Sequence, residues 1–115
     1  MLIQLLSSLI LLTGQASYYS TTGCIGCSKT LTMANGQRLD DTKLTVALTP
    51  NVVRKYKLLN KQVVIANPKT GIHVLAKVTD TGGFAKYNRV ADLTIATRDA
   101  IGCENLCQVN ILFVK

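Results

Sequence analysis

The chain has 115 residues, enough for one domain, and 48% of them are hydrophobic, so it can bury a core of its own. Its 13 Lys and Arg against 6 Asp and Glu give a formal charge of +7, which favours an anionic partner: nucleic acid, an acidic lipid or an anionic wall polymer. There is no Trp and no ladder of aromatic residues between basic ones, so we expect no nucleic-acid binding.

The first 14 residues carry no charged side chain and are mostly apolar. Residues 5–12 have the length of a signal-peptide core and are too few to span a bilayer, and Gly14-Gln15-Ala16 has the small-x-small pattern of a cleavage site. We therefore predict that residues 1–14 are a signal peptide or apolar N-terminal segment, and that residues 15–115 form the domain of a secreted, periplasmic or cell-envelope protein. The alternative is that the apolar segment is a buried N-terminal strand or helix.

Strand patterns recur from Ala16 onward. Apolar and β-branched residues, bounded by turn residues, predict six strands at 16–20, 43–48, 61–67, 72–79, 89–93 and 108–115. Asn35-Gly36 is a strong turn signal, and the short turn at 67–71 joins the third and fourth strands into a hairpin.

Two short helices interrupt the strands. Thr49 and Pro50 suit the N-cap and first position of a helix, and Thr94 can cap a second helix that runs to Ile101. The sequence thus predicts an all-β single domain with two short helices, and we expect a monomer.

The four cysteines form two close pairs, Cys24 with Cys27 and Cys103 with Cys107. In a short exported chain an even number of cysteines predicts two disulfides, and three connectivities are open. A four-thiolate zinc site is the rival interpretation, and a redox Cys-x-x-Cys is the third.

Few residues are candidates for catalysis, because the sequence lacks nucleophile-elbow, phosphate-loop and zinc-helix motifs. The only histidine, His73, lies within a predicted strand on the opposite parity from Asp80, so we expect it to be a surface or hairpin residue. Asp80 ends an apolar strand before a Gly-Gly turn, and Asp92 has apolar neighbours. Carboxyl groups in such settings serve as acids in glycosidic-bond cleavage, and we expect no metal or cofactor. The alternative, which composition alone favours, is structural: Asp80 accepts turn amides, and Asp92 caps the helix at Thr94 or pairs with Arg89.

Five motifs in register carry a family resemblance. They are G-Q-A-S-Y-Y from Gly14, M-A-N-G-Q from Met33, L-T-V-A from Leu44, V-T-D-T-G-G-F from Val78 and R-V-A-D-L-T from Arg89. Together they resemble the rare lipoprotein A family, whose pattern runs G-x-A-S-Y-Y, T-A-N-G-E, L-T-A-A-H, V-x-D-R-G-P-F and R-x-x-D-L-S. The resemblance implies a six-stranded double-psi β-barrel, shared with expansins, and lytic transglycosylase activity on the glycan strands of peptidoglycan.

The resemblance also implies roles for individual residues. Asp80 matches the family's catalytic Asp, and Asp92 matches the Asp of the D-L-S motif. The motif positions expected to contact substrate are Tyr19, Asn35, Thr45, Thr81, Gly82, Gly83 and Arg89.

The chain departs from the family pattern at Leu48, where the family has a histidine that assists catalysis. Two functions therefore stay open: lytic transglycosylase with Asp80 as acid and base, or a non-catalytic, expansin-like module that binds wall glycan. A structural or effector module is a third hypothesis.

Overall fold

Six strands close into a barrel in which each strand pairs with two neighbours. The computed structural model describes residues 8–24 and 29–115, so residues 1–7 of the predicted N-terminal segment and Cys27 lie outside the described residues. The strands are β1 (Leu9–Tyr18), β2 (Thr45–Leu48), β3 (Gln62–Asn67), β4 (Ile72–Thr81), β5 (Arg89–Leu93) and β6 (Cys107–Val114). Their order around the barrel is β1-β5-β2-β4-β3-β6.

Two of the six pairings are parallel, β1 with β5 and β2 with β4, and each contains a shift of register. The other four are antiparallel. A closed six-stranded sheet with two parallel pairs fits the double-psi barrel, so the predicted all-β fold is confirmed. Alternate residues of every strand fill the interior, and Val46, Ile65, Leu93 and Ile111 are completely buried there.

Strand β1 begins at Leu9, seven residues earlier than the sequence analysis predicts. Residues 9–16 all pair with β6, from Leu9 opposite Val114 to Ala16 opposite Cys107, and Ile10 and Leu12 pack against the core. The strand therefore crosses the predicted boundary between residues 14 and 15. Removal of residues 1–14 stays a prediction, and it would take away six of the eight residues of β1 that pair with β6.

Both predicted helices are present and lie close to the predicted positions. Helix α1 (Pro50–Tyr56) follows the N-cap residue Thr49, and the Tyr56 ring packs edge-on against Phe113 at 5.1 Å. Helix α2 (Ile95–Ala100) follows Thr94, whose side chain accepts a hydrogen bond from the Thr97 amide. A 3₁₀ turn, Phe84–Tyr87, was not predicted, since four residues carry too little periodicity to mark it.

Deletion of residues 1–14 is expected to unfold the barrel. The truncated chain loses most of the β1–β6 pairing and the burial of Ile10 and Leu12, which together stabilise the fold by about 3 kcal/mol or more. Urea unfolding followed by circular dichroism measures this loss, and a chain lacking only residues 1–7 is the control. An unchanged urea midpoint for the 15–115 chain would show that the barrel closes without the first residues of β1.

Candidate functional site

Four side chains form a row across neighbouring strands on the outside of the barrel. Ala47 of β2 pairs with Asp80 of β4 on one side and with Asp92 of β5 on the other, and Asp92 pairs in turn with Ser17 of β1. Two strand spacings put the Cα atoms of the two aspartates about 9 to 10 Å apart. Because Ala47 has only a methyl group, it forms a low floor between the two carboxylates.

Asp80 reaches this row because β4 contains a β-bulge. Val46 pairs with Val78, but the next residue, Ala47, pairs with Asp80, so Thr79 is an extra residue in β4. Val78 points into the core, and simple alternation would send Asp80 inward as well. The bulge reverses the alternation and turns the carboxylate outward.

The same bulge places His73 and Asp80 on the same side of β4. Strict alternation along the strand predicts that His73 faces away from Asp80. Because β4 has an extra residue between them, both side chains lie on the outer surface, and this prediction is wrong. The predicted hairpin position is nevertheless confirmed, since His73 is exposed and pairs with Ala66 of β3. Seven residues of strand, about 23 Å, separate it from Asp80.

Backbone amides hold the Asp80 carboxylate in a fixed orientation. Its Oδ1 atom accepts hydrogen bonds from the amides of Ala34 and Thr81, both at 2.9 Å. Its Oδ2 atom lies 3.5 Å from the hydroxyl of Tyr19, which donates to it. The carboxylate is therefore oriented by the main chain of two separate segments, the loop before β2 and the end of β4.

Tyr19 lies beneath both aspartates and is almost completely buried. Burial raises the pKa of its phenol well above the ordinary value of 10.0, and the negative charges of Asp80 and Asp92 raise it further. The phenol is therefore a hydrogen-bond donor at every physiological pH. Asp92 accepts a hydrogen bond from the hydroxyl of Ser17.

The row forms the floor of a groove made of two adjoining cavities. The Asp80 cavity, about 190 Å³, is lined by both aspartates, Tyr19, the Thr81-Gly82-Gly83 turn, Leu31 and Met33. The outer cavity, about 520 Å³, continues past Asp92 to Tyr18, Lys86, Tyr87 and Arg89. Since both cavities include Tyr19, Gly82, Gly83, Phe84 and Asp92, we treat them as one groove.

Cations and aromatic rings are stacked at the outer end of the groove. The Lys86 ammonium lies 5.2 Å and the Arg89 guanidinium 5.6 Å from the centre of the Tyr87 ring, which is 60% exposed. Arg98 lies 4.3 Å from the ring of Tyr18. Within residues 8–24 and 29–115 the one salt bridge joins Arg98 and Asp99, so Arg89 and Lys86 face the groove without a carboxylate partner.

Most of the predicted site residues come together in this groove, but two do not line it. The Asn35 side chain bonds to Gln37 and Asn60 and so fixes a turn. Thr45 is buried under α2, where its carbonyl oxygen accepts hydrogen bonds from the hydroxyls of Thr94 and Thr97. Leu48 is fully buried in the core, so it places no polar group beside Asp80.

The sequence analysis missed three residues that shape the groove: Ser17, Ala47 and Phe84. A Cβ atom on Gly82 would lie 2.6 Å from the Phe84 ring, so the glycine is what lets this ring close over the turn. Ser17 and Ala47 stand inside recognised motifs, but their contact with Asp92 follows from pairing between distant strands.

The structure gives both partners of one disulfide. Cys103 and Cys107 form a disulfide within the second pair, so these sulfurs are not available as zinc ligands in this state. Cys24 is also disulfide-bonded and lines the Asp80 cavity.

In the part of the chain that the structure describes, no three His, Cys, Asp or Glu residues cluster as a metal site would need. None of the described helices is long and apolar enough to cross a membrane.

No protein-family model and no curated protein sequence matches the chain. Its fold is similar to that of an apo-expansin from Clavibacter michiganensis, with a TM-score of 0.64 and 17% identity over 92% of this chain and 50% of the expansin. It is also similar to the Streptomyces papain inhibitor, with a TM-score of 0.60 and 19% identity over 92% of this chain and 96% of the inhibitor. The chain thus spans half of the expansin, and these likenesses support the double-psi barrel. Membership of the rare lipoprotein A family stays a prediction.

Tyr19 is expected to make the protein less stable in alkali. A phenol whose pKa is raised by folding contributes stability that is complete below pH 10 and is lost as the pH rises further, at about 1.4 kcal/mol per pH unit. Between about pH 9 and about pH 11 the wild type should lose on the order of 1 kcal/mol more than Tyr19→Phe. Urea unfolding at both pH values measures this, with Tyr87→Phe as the control. Parallel losses in all three proteins would contradict the assignment.

Proposed function

We propose that this protein binds a polysaccharide of the cell wall in the groove, with Asp80 as its central polar contact and peptidoglycan glycan strands as the ligand. The observation that carries the proposal is the Asp80 carboxylate, oriented by two amides at the edge of an open cavity. A fixed acceptor beside an elongated cleft suits the hydroxyl groups of a sugar chain.

The outer end of the groove supports the same ligand. Exposed Tyr18 and Tyr87 offer aromatic surface against which a sugar can pack, and Arg89 and Lys86 offer donors without a carboxylate partner next to it. The intrachain disulfide is of the kind that persists outside the cytoplasm, where wall glycans are found. We therefore propose an extracellular or cell-envelope location.

Cleavage of the bound glycan is a second candidate function, and the position of Asp80 in the groove favours it. A protonated Asp80 would donate its proton to the glycosidic oxygen between N-acetylmuramic acid and N-acetylglucosamine, and the bond from that oxygen to the muramic C1 would break. The muramic 6-hydroxyl would then attack C1 and give its proton back to Asp80, which leaves a 1,6-anhydro product. Tyr19 and Asp92 are the other titratable groups on this part of the floor.

The absence of a histidine next to Asp80 favours binding over cleavage. Leu48 stands where the family pattern has its assisting histidine, and His73 is in the distant hairpin. Binding is therefore our first proposal and cleavage the second.

Groove variants are expected to bind wall glycan less tightly. Tyr87→Ala removes a stacking face and Arg89→Ala a charged donor, so each should weaken binding to purified peptidoglycan by about threefold to tenfold. Co-sedimentation measures the affinity, and Lys69→Ala, an exposed cation in the β3–β4 turn, is the matched control. An equal loss of affinity in Lys69→Ala would mean that peptidoglycan binding depends only on the overall positive charge.

A digest of peptidoglycan separates cleavage from binding. If the enzyme hypothesis is correct, the wild type releases 1,6-anhydro-muropeptides and Asp80→Asn releases none. The fold should survive, because the asparagine oxygen can still accept from the amides of Ala34 and Thr81. Glu104→Gln, which alters an exposed carboxylate between Cys103 and Cys107, is the control.

Two results would change the assignment. Tight binding by the wild type without soluble product leaves the binding module and rejects cleavage. Inhibition of papain by this protein, with no affinity for glycan, would replace both proposals with a function like that in the name of the Streptomyces inhibitor.

A further inference from the structure

The excess positive charge of the chain comes from one stretch of sequence. Residues 43–79 contain seven cationic side chains and no Asp or Glu, whereas the rest of the chain has six cationic and six acidic side chains. The seven are Lys43, Arg54, Lys55, Lys57, Lys61, Lys69 and Lys77. This stretch forms β2, α1, β3 and most of β4, so the charge is concentrated on one part of the barrel.

The outer surface of four neighbouring strands carries an unbroken apolar row. Leu11 of β1 pairs with Leu112 of β6, Leu112 with Val64 of β3, and Val64 with Leu75 of β4. Register partners point to the same side of a sheet, and three strand spacings make the row about 14 Å wide.

Leu9 and Val114, which pair with each other, extend the row towards one end of the barrel. We call these six residues, Leu9, Leu11, Val64, Leu75, Leu112 and Val114, the apolar face. Leu11 is 57% and Leu75 is 54% exposed, and no charged residue lies in β1, β3 or β6 to interrupt the face.

Lysines border the apolar face at that same end. Lys115 follows Val114, and its amide bonds to Ser8 before β1, while Lys77 pairs with Gln62 at the start of β3. Lys55, Lys57 and Lys115 line a cavity of about 420 Å³ together with Ile10 and Tyr56. We call Lys55, Lys57, Lys77 and Lys115 the lysine border. Strands β1, β3 and β6 and helix α1 contain no Asp or Glu. Asp80 of β4 lies three residues beyond Lys77, but its carboxylate accepts hydrogen bonds from the amides of Ala34 and Thr81 in the groove.

We infer that the apolar face and its lysine border dock on an anionic lipid surface. Apolar side chains enter the boundary between headgroups and acyl chains, and adjacent lysines contact the headgroup phosphates. Charge complementarity selects this occupant, because a second copy of the chain would bring two lysine borders together. A soluble polyanion would leave the leucines unused.

The groove stays accessible in this arrangement. Strands β5 and β2 lie across the barrel from β3 and β6, so the groove floor at Asp92 and Ala47 is on the opposite side from the centre of the apolar face. The ends of the floor, Asp80 and Ser17, lie on β4 and β1, which also contribute to the apolar face. The inference does not depend on the proposed glycan binding, since it uses none of the groove residues.

Flotation of the full chain with vesicles tests the inference. We expect binding to phosphatidylcholine vesicles that contain phosphatidylglycerol and little binding to phosphatidylcholine alone. Lys55→Gln/Lys57→Gln should weaken binding by about fivefold for each lysine removed. Leu11→Ser/Leu75→Ser should weaken it by at least about tenfold.

Matched controls lie elsewhere on the barrel. Lys29→Gln/Lys69→Gln removes the same charge away from the lysine border, and Leu44→Ser/Leu106→Ser removes two exposed leucines outside the apolar face. Both should bind vesicles as the wild type does. Thermal unfolding of every variant checks that the barrel is intact.

Three outcomes would overturn the inference. Equal losses in both lysine pairs would indicate general charge attraction. Unchanged vesicle binding by Leu11→Ser/Leu75→Ser would remove the apolar face from the contact. A concentration-dependent dimer that this variant dissociates, seen by sedimentation without lipid, would identify a second copy as the occupant.

Discussion

The direction of the Asp80 side chain depends on the single extra residue that β4 carries opposite β2. Thr79, the extra residue, is held by one loop at two points: its hydroxyl contacts the Met33 sulfur at 3.2 Å, and its carbonyl accepts from the Asn35 amide at 3.1 Å. The loop that holds the bulge also supplies the Ala34 amide to Asp80. Loss of the bulge would turn the carboxylate into an apolar interior, where an unpaired charge is very costly. Asn35, which we expected to contact substrate, is therefore part of the support for Asp80.

The sequence predicts those parts of the fold that depend on local signals. Strands β3 to β6 and both helices are close to their predicted positions, because alternation and N-caps such as Thr94 are local patterns. The start of β1 is different, since Leu9–Thr13 has no clear alternation and becomes a strand through pairing with β6. The bulge at Thr79 and the contact of Ser17 with Asp92 arise from pairing between distant strands, which no local pattern encodes. The motif resemblance identified the floor of the groove, but only strand register shows which side chains meet there.

Leu48 shows how a motif position and its structural role can diverge. In β2 the side chains of Val46 and Leu48 enter the core and Ala47 lies between the aspartates, so position 48 faces the interior in this backbone. A leucine there adds apolar packing and adds no proton-transfer group to the groove. Any acid–base chemistry must therefore come from Asp80, Asp92 and Tyr19, and the raised pKa keeps Tyr19 a proton donor in hydrogen bonds and not a base. This restriction is the physical reason for ranking glycan binding above cleavage.

Strand β1 connects the two proposed binding surfaces and makes two of the hypotheses compete. Its first half supplies Leu9 and Leu11 to the apolar face, and its second half supplies Ser17 and Tyr18 to the groove. Processing after residue 14 would remove the leucines and most of the pairing with β6, while the groove residues would stay on the chain. A chain that docks on lipid through this face must keep residues 9–14, so the predicted signal cleavage and the proposed docking surface cannot both hold for one mature protein. The mass of the N-terminal peptide of the mature protein decides between them.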